Sequence, residues 1–229
     1  DKQIISGRSF CPGCKKKINW YDNLPLISYI LLNAKCRNCD RYISARYLIV
    51  ELITAISFLL IFLSFKNLYT IIFLSILILI LIMIFFIDLE NFIIPDSLNF
   101  SVMGLALVKN FIPSFNTSLI HDINQSLIGG IIGYFSIWLI IFLYKTLKKI
   151  DGMGLGDAKL MAGIGLLFGW QSIPLVLFLS SILGLFFVAP SLLKKQKTMK
   201  SEIPFGPFII IAMLIYFVFG DFFYSLILV

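Results

Sequence analysis

The chain has 229 residues, of which 59% are hydrophobic and only 14% are charged, and its mean hydropathy is +0.97. Soluble domains are about one quarter charged, so this composition excludes an ordinary soluble protein and predicts an integral membrane protein. The net charge of +7 does not indicate nucleic-acid binding, because the basic residues flank apolar runs and no basic face alternates with aromatic residues.

Residues 1–46 are the one polar domain and contain all four cysteines, as the pairs Cys11/Cys14 and Cys36/Cys39. Two CxxC pairs about twenty residues apart are typical of a zinc ribbon, in which two tight turns supply a tetrahedral shell of four thiolates. That shell leaves no open position, so we expect a structural zinc that contributes much of the folding energy of this small domain. The alternatives are a pair of disulfides, which need an oxidising compartment, or a redox CxxC.

Residues 47–229 contain seven apolar runs, and we expect each to be a spanning helix of an all-α polytopic bundle. A span needs about 20 apolar residues, or fewer where protein covers the helix. The third and fifth runs are short and contain glycine, so we expect them to line the interior. The runs are 47–65, 69–87, 98–112, 123–144, 158–170, 173–193 and 205–229.

Glycines in the later runs form small-residue patches that permit close contact between helices. Packing accounts for them, and we assign them no chemistry. They are Gly129, Gly130, Gly133, Gly163 and Gly165.

Lysine and arginine mark cytoplasmic loops. They concentrate in the N-terminal domain, in residues 145–159 and in residues 194–200, whereas Lys66 and Lys109 lie at the opposite ends of the runs. If seven spans connect these segments, all three basic segments lie on one side of the membrane, as the positive-inside rule requires. This topology places the N-terminal domain and the loop 88–96 in the cytoplasm, which favours zinc over disulfides.

Two carboxylates are predicted at the same membrane face, each at a junction between helix and loop. Asp88 ends the apolar run 71–87, and Asp157 follows glycines in the segment 152–159. Those glycines predict an irregular loop that enters a helix at Asp157 or soon after. Irregular backbone at membrane depth persists only where protein or water covers it, so the sequence predicts a water-filled notch.

Charged residues near membrane depth are costly and usually functional. Two neighbouring carboxylates can share a proton, so that one acts as a base on water and the other as an acid. This is the chemistry of an aspartic protease. No other protease chemistry is apparent, because the one histidine, His121, lies in a predicted extracytoplasmic loop and the cysteines are assigned to metal. For the GxGD pattern alone, a solvated aspartate in a flexible loop is the alternative.

Three other acids compete with this assignment. Glu90 lies two residues after Asp88 and could take its place. Asp96 follows Pro95 and precedes a helical run, which favours a helix N-cap. Asp151 precedes the glycine-rich loop, and we expect it to be solvated.

The motifs of this chain occur together in a distinctive order. They are IxWxxNxP at 18–25, RY with a glutamate at 46–51, FIDLE at 86–90, IPD at 94–96, GLGDAKL at 154–160 and IPFGP at 203–207, beside the two cysteine pairs. Over nearly its whole length the chain resembles the type IV prepilin peptidases, which are bacterial GxGD-type membrane aspartic proteases. The resemblance departs at the start, where the family's first hydrophobic segment has no counterpart. Since the sequence begins at Asp1 without Met, we expect a further N-terminal segment, such as another spanning helix.

The resemblance implies that Asp88 and Asp157 are the catalytic pair. It implies a protein of the bacterial inner membrane that removes the short basic leader of prepilins or pseudopilins at the cytoplasmic face. Many members then methylate the new N-terminal amine with S-adenosylmethionine. Glu51 and Glu202 are candidate contacts for that donor, although each could equally cap a helix or pair with a basic neighbour.

Two other functions remain open at this point. One is a non-enzymatic, zinc-bearing membrane scaffold of a secretion or pilus machine, which would have no use for paired acids at one membrane face. The other is a proton-coupled transporter, which would need acids nearer the middle of a span than Asp88 and Asp157.

Overall fold

The computed structural model describes residues 9–111, 123–148, 153–193 and 203–227, and in these ranges it is helical apart from loops and two isolated β-bridges. The helices are α1 (Ile27–Leu31), α2 (Ala45–Ser64), α3 (Leu68–Asn91), α4 (Asp96–Val108), α5 (Ile123–Lys148), α6 (Leu155–Phe168), α7 (Ser172–Leu193) and α8 (Gly206–Ile227). Two 3₁₀ turns, Trp20–Asn23 and Lys109–Phe111, complete the described elements. The predicted all-α class is therefore confirmed for this part of the chain.

The chain divides into two compact units, which we call the first unit (Asp1–Ser64) and the second unit (Phe65–Val229). Helix α2 belongs to the first unit together with the cysteine pairs. The boundary expected between the polar domain 1–46 and the membrane domain 47–229 stays a prediction, since it rests on where the sequence becomes apolar.

Within the described residues, four helices are long and apolar enough to cross a membrane, whereas the sequence predicted seven. At about 1.5 Å per residue, α4 and α6 are each about 20 Å long, which is shorter than a hydrocarbon core of about 30 Å. All seven predicted runs nevertheless contain a helix. The four candidates are Ala45–Ser64, Leu68–Asn91, Ile123–Leu147 and Ser172–Ala189.

Helix α6 lies in the interior of the second unit, as its glycines predicted. A Cβ atom added at Gly133 of α5 would lie 2.5 Å from the carbonyl oxygen of Met161, and one added at Gly163 would lie 2.8 Å from Cγ1 of Val102. These helices can approach so closely only because the side chains are absent.

A buried charged residue lies at each end of α6. Lys109 is 1% exposed, and its Nζ donates to the carbonyl oxygen of Leu167 in the last turn. A cation at this end is favourable, because the last carbonyls of a helix carry partial negative charge. Asp157 lies in the first turn, at the opposite end.

Candidate active site and candidate metal centre

Asp88 lies in the last turn of α3. The helix ends at Phe92, whose left-handed backbone (φ 56°) directs its N–H to the carbonyl oxygen of Asp88. Although it lies near a helix end, the Asp88 residue is only 4% exposed. Its Oδ2 accepts a 3.0 Å hydrogen bond from the backbone N–H of Gly206, the first residue of α8.

Gly206 leaves no room for a side chain at this contact. A Cβ atom there would lie 2.8 Å from Oδ2 of Asp88 and 3.0 Å from Cδ1 of Ile94. The sequence predicted no role for this glycine. The available signal was its place between two prolines in the motif IPFGP at 203–207.

Asp157 is the third residue of α6, whose N-cap is Gly154. Its backbone N–H donates to the carbonyl oxygen of Gly154 at 3.2 Å, and the residue is 7% exposed. The helix thus begins two residues earlier than the glycines predicted. Gly156 lies within the helix, and its lack of a side chain lets α6 pack closely: a Cβ atom on Gly156 would lie 3.0 Å from Cβ of Ile94.

The structure brings the two aspartates together at one end of the second unit. The two carboxyl groups are close enough to interact electrostatically. Ile94, which is 6% exposed, lies against both Gly156 beside one aspartate and Gly206 beside the other. The chain between α3 and α4 therefore packs against the backbone next to both carboxyls.

The competing acids have different surroundings. Glu90 is exposed, unlike the buried Asp88. The expectation that Asp96 caps α4 was wrong: Pro95 is the N-cap, because its φ of −61° and ψ of 133° place the last extended residue there. Asp96 instead pairs with Lys159 of α6 at 2.6 Å. Asp151 lies outside the described residues.

Asn99 is a buried polar residue for which the sequence predicted no role. It is 0% exposed, and its Nδ2 donates to the carbonyl oxygen of Gly156 at 3.1 Å. The available signal was a polar amide within the apolar run 98–112.

The four cysteines of the first unit form one cluster. The Sγ atoms of Cys11, Cys14, Cys36 and Cys39 all lie within 4.8 Å of one another, and the thiols are free. The Sγ atoms of Cys11 and Cys39 are 3.8 Å apart. A tetrahedron with Zn–S bonds of about 2.3 Å has an S–S edge of about 3.8 Å, so the cluster is compatible with a four-thiolate metal site.

Both cysteine pairs adopt the same turn. The residue after each second cysteine, Lys15 (φ 57°) or Asp40 (φ 53°), has a left-handed backbone. Its N–H donates to the carbonyl oxygen of the first cysteine, at 2.8 Å from Lys15 to Cys11 and at 3.0 Å from Asp40 to Cys36. The repeated geometry directs two thiols from each turn toward a common centre.

The thiols of Cys11 and Cys39 have pKa values that are shifted in opposite directions. The backbone N–H groups of Cys14 and Gly13 lower the pKa of the Cys11 thiol to about 6. The N–H of Arg41 lowers the pKa of Cys39, but burial and the other thiols outweigh it and raise that pKa to about 11. Metal binding needs all four thiolates and so releases the remaining protons.

Glu51 of α2 contacts the backbone at the start of α1. Its Oε2 accepts a 2.7 Å hydrogen bond from the N–H of Leu26, the N-cap of α1, whose φ is 61°. The bond ties α2 to α1 within the first unit. Glu202 lies outside the described residues.

Two family models match the chain in succession. Residues 1–65 match the bacterial peptidase A24 N-terminal domain, and residues 75–189 match the type IV leader peptidase family. No solved structure matches the chain.

Three curated relatives are each named prepilin leader peptidase/N-methyltransferase. The protein of Aeromonas hydrophila is 35% identical over 218 residues, which are 95% of this chain and 73% of that protein. The protein of Vibrio cholerae is 38% identical over 93% of this chain and 82% of its own length. The protein of Pseudomonas aeruginosa is 33% identical over 95% of this chain and 73% of its own.

Proposed function

The chain belongs to the type IV leader peptidase family, and from that premise we propose that Asp88 and Asp157 are the catalytic pair of a membrane aspartic endopeptidase. The enzyme is a prepilin peptidase, as the names of its relatives indicate. Its substrates are type IV prepilins or pseudopilins, from which it removes the short basic leader.

One observation supports the catalytic pair above all others. Asp88 and Asp157 are the buried acidic residues of the second unit as far as the structure describes it. They come from different helices, and their carboxyl groups are close enough to interact electrostatically. Burying two acids costs stability, and acids near membrane depth are usually functional, so their convergence favours a function for the pair.

In the reaction, one carboxylate accepts a proton from water while the water oxygen attacks the scissile carbonyl carbon. The other carboxyl group delivers a proton to the leaving amide nitrogen as the C–N bond breaks. The products are the leader with a new carboxyl terminus and the mature pilin with a new amine. The N–H of Gly206 holds Asp88 in one orientation, as general acid–base catalysis requires.

The place of cleavage follows from topology. We assign the seven helices α2 to α8 as spans of the bacterial inner membrane. The polar domain 1–46 is assigned to the cytoplasm, and so are the end of α3 that carries Asp88 and the end of α6 that carries Asp157. The excess of lysine and arginine in the N-terminal domain supports this orientation. A pilin whose hydrophobic helix lies in the bilayer would then present its leader at the face that carries both aspartates.

The cysteine cluster is assigned a structural zinc. Its sulfur spacing fits a four-thiolate shell, and such a shell leaves no position for water or substrate. Zinc would stabilise the two turns of the first unit and take no part in peptide hydrolysis.

The second activity in the names of the relatives is N-methylation. We assign it to this chain as well, with S-adenosylmethionine as the donor and the amine produced by cleavage as the acceptor. The amine must lose a proton before its lone pair can attack the methyl carbon.

A scaffold without enzymatic activity is not favoured, because both family models describe peptidases. The test uses the purified protein in lipid nanodiscs and a synthetic peptide with a short basic leader followed by an apolar segment. Mass spectrometry should detect two fragments whose masses sum to the peptide plus one water, and Asp157→Asn should produce neither. Intact peptide after incubation with the folded wild-type protein would contradict the proposed function.

A further inference from the structure

Asn99 of α4 has no role in the reaction described above, although it contacts the backbone next to Asp157. Its Nδ2 donates to the carbonyl oxygen of Gly156 at 3.1 Å. The orientation of the amide follows from this contact, because the flipped amide would place Oδ1 against a carbonyl oxygen. The interaction joins α4 to the first turn of α6.

Folding alone does not explain this residue. In an α-helix the carbonyl of residue i accepts from the N–H of residue i+4, so the helix already offers Gly156 a donor from Leu160. Moreover, Oδ1 of Asn99 is buried and has no hydrogen-bond partner in the described structure. Burying such an acceptor lowers stability, and an apolar side chain of similar size would avoid that cost. Residues that lower stability in this way often serve function.

The contact involves the peptide group that joins Gly156 to Asp157. The carbonyl of Gly156 and the N–H of Asp157 belong to the same peptide group. Asn99 holds its oxygen from α4, and the carbonyl of Gly154 accepts from its nitrogen at 3.2 Å. With both ends of the plane held, the direction in which the side chain of Asp157 leaves the backbone is restricted.

We propose that Asn99 is a positioning residue of the peptidase reaction, which orients the carboxyl of Asp157 by fixing the peptide group between Gly156 and Asp157. The inference rests on the proposed function, since it assigns Asp157 to catalysis. It adds a residue that acts through the backbone without touching the reacting atoms.

A second contact between α4 and α6 provides a matched control. Asp96 and Lys159 pair at 2.6 Å, with side chains 58% and 25% exposed. Exposed ion pairs contribute little to stability or rigidity. Asp96→Asn therefore removes the charge from a contact between the same two helices and leaves the buried one in place.

The experiment compares steady-state kinetics of Asn99→Leu, Asn99→Ala, Asn99→Ser and Asp96→Asn in nanodiscs with the leader peptide described above. We expect kcat to fall about 10- to 100-fold in Asn99→Leu and Asn99→Ala, because small misplacements of a catalytic group have effects of this size. KM should change less than about twofold, since substrate binding is not altered. The melting temperature of Asn99→Leu should equal or exceed that of the wild type. Asn99→Ser retains a donor and should recover part of the lost kcat.

If Asn99→Leu does not fold, the pair Asn99→Ser and Asn99→Ala decides, because the two side chains differ by one hydroxyl group. Equal kcat in these two variants, or wild-type kcat in folded Asn99→Leu, overturns the inference. When the wild type cleaves and Asp157→Asn does not, such a result leaves the proposed function intact. A wild type that does not cleave overturns the proposed function and this inference together.

Discussion

The backbone N–H of Gly206 donates a 3.0 Å hydrogen bond to Oδ2 of Asp88, which joins the start of α8 to the end of α3. The two residues are far apart in the chain, and the contact depends on a residue without a side chain. A helix N-terminus is a suitable donor, because its first N–H groups have no partner within the helix.

Gly206→Ala should lower kcat by about 10- to 100-fold with a smaller effect on KM. The added Cβ would lie 2.8 Å from Oδ2 of Asp88, so the carboxyl must move. Gly184→Ala is the control, because its Cβ would lie 3.5 Å from the nearest atom of Phe208, an ordinary contact. Kinetics with the leader peptide would measure both, and equal loss in the two variants would contradict the prediction.

Asp88→Asn and Asp157→Asn should each abolish cleavage while the protein still inserts and binds the peptide. Asparagine keeps the size of aspartate but cannot accept or deliver the proton. Loss of acid–base help alone lowers rates by roughly 10²–10⁴-fold, and residues that act as a unit lose nearly all activity together. Product formation by mass spectrometry and peptide binding by fluorescence anisotropy measure the two properties. Near wild-type cleavage by Asp157→Asn would exclude it from the pair.

Glu90→Gln and Asp96→Asn should keep measurable activity, since neither acid takes part in the proton transfers. Glu90 is exposed, and Asp96 pairs with Lys159. The same cleavage assay checks them. An inactive Glu90→Gln beside an active Asp88→Asn would move the first catalytic carboxylate to Glu90 and leave the reaction class unchanged.

Metal analysis of the purified protein should give about one zinc ion per chain, bound by four thiolates. Cys36→Ser should lose most of it, because three thiolates no longer close the shell. We expect faster hydrogen exchange in the first unit and unchanged exchange in α5 and α6. Cleavage should fall less than it does in Asp157→Asn. Zinc-free protein with full peptidase activity and unchanged exchange would remove the assignment.

Gly133→Ala and Gly104→Ala should have opposite effects on stability. At Gly133 the new Cβ would lie 2.5 Å from the carbonyl oxygen of Met161, whereas nothing lies within 4 Å of one at Gly104. Overpacking of a helix interface costs about 1–3 kcal/mol, while alanine for glycine in an open helical position contributes up to about 1 kcal/mol. Thermal unfolding in detergent would measure both, and equal melting temperatures would count against the close packing of α5 on α6.

Local patterns in the sequence did not predict where α6 starts or which residue caps α4. The glycines before Asp157 predicted an irregular loop up to that residue, but α6 begins at Leu155, and Gly156 lies against Ile94 there. Proline before Asp96 indicated a helix start, but the cap is Pro95 itself, which leaves the carboxylate of Asp96 for Lys159. In both cases the observed local structure comes with a contact to a distant part of the chain, Ile94 for Gly156 and Lys159 for Asp96.

The membrane class, the helical runs and the cysteine cluster could all be predicted from the sequence, because apolar runs and CxxC spacing are features of short stretches of chain. The sequence also identified Asp88 and Asp157 as the acids worth comparing. Only the tertiary structure placed Gly206 against Asp88 and Asn99 against Gly156. Contacts of this kind depend on how α3, α4, α6 and α8 pack, and no local pattern of residues specifies the distance between atoms on different helices.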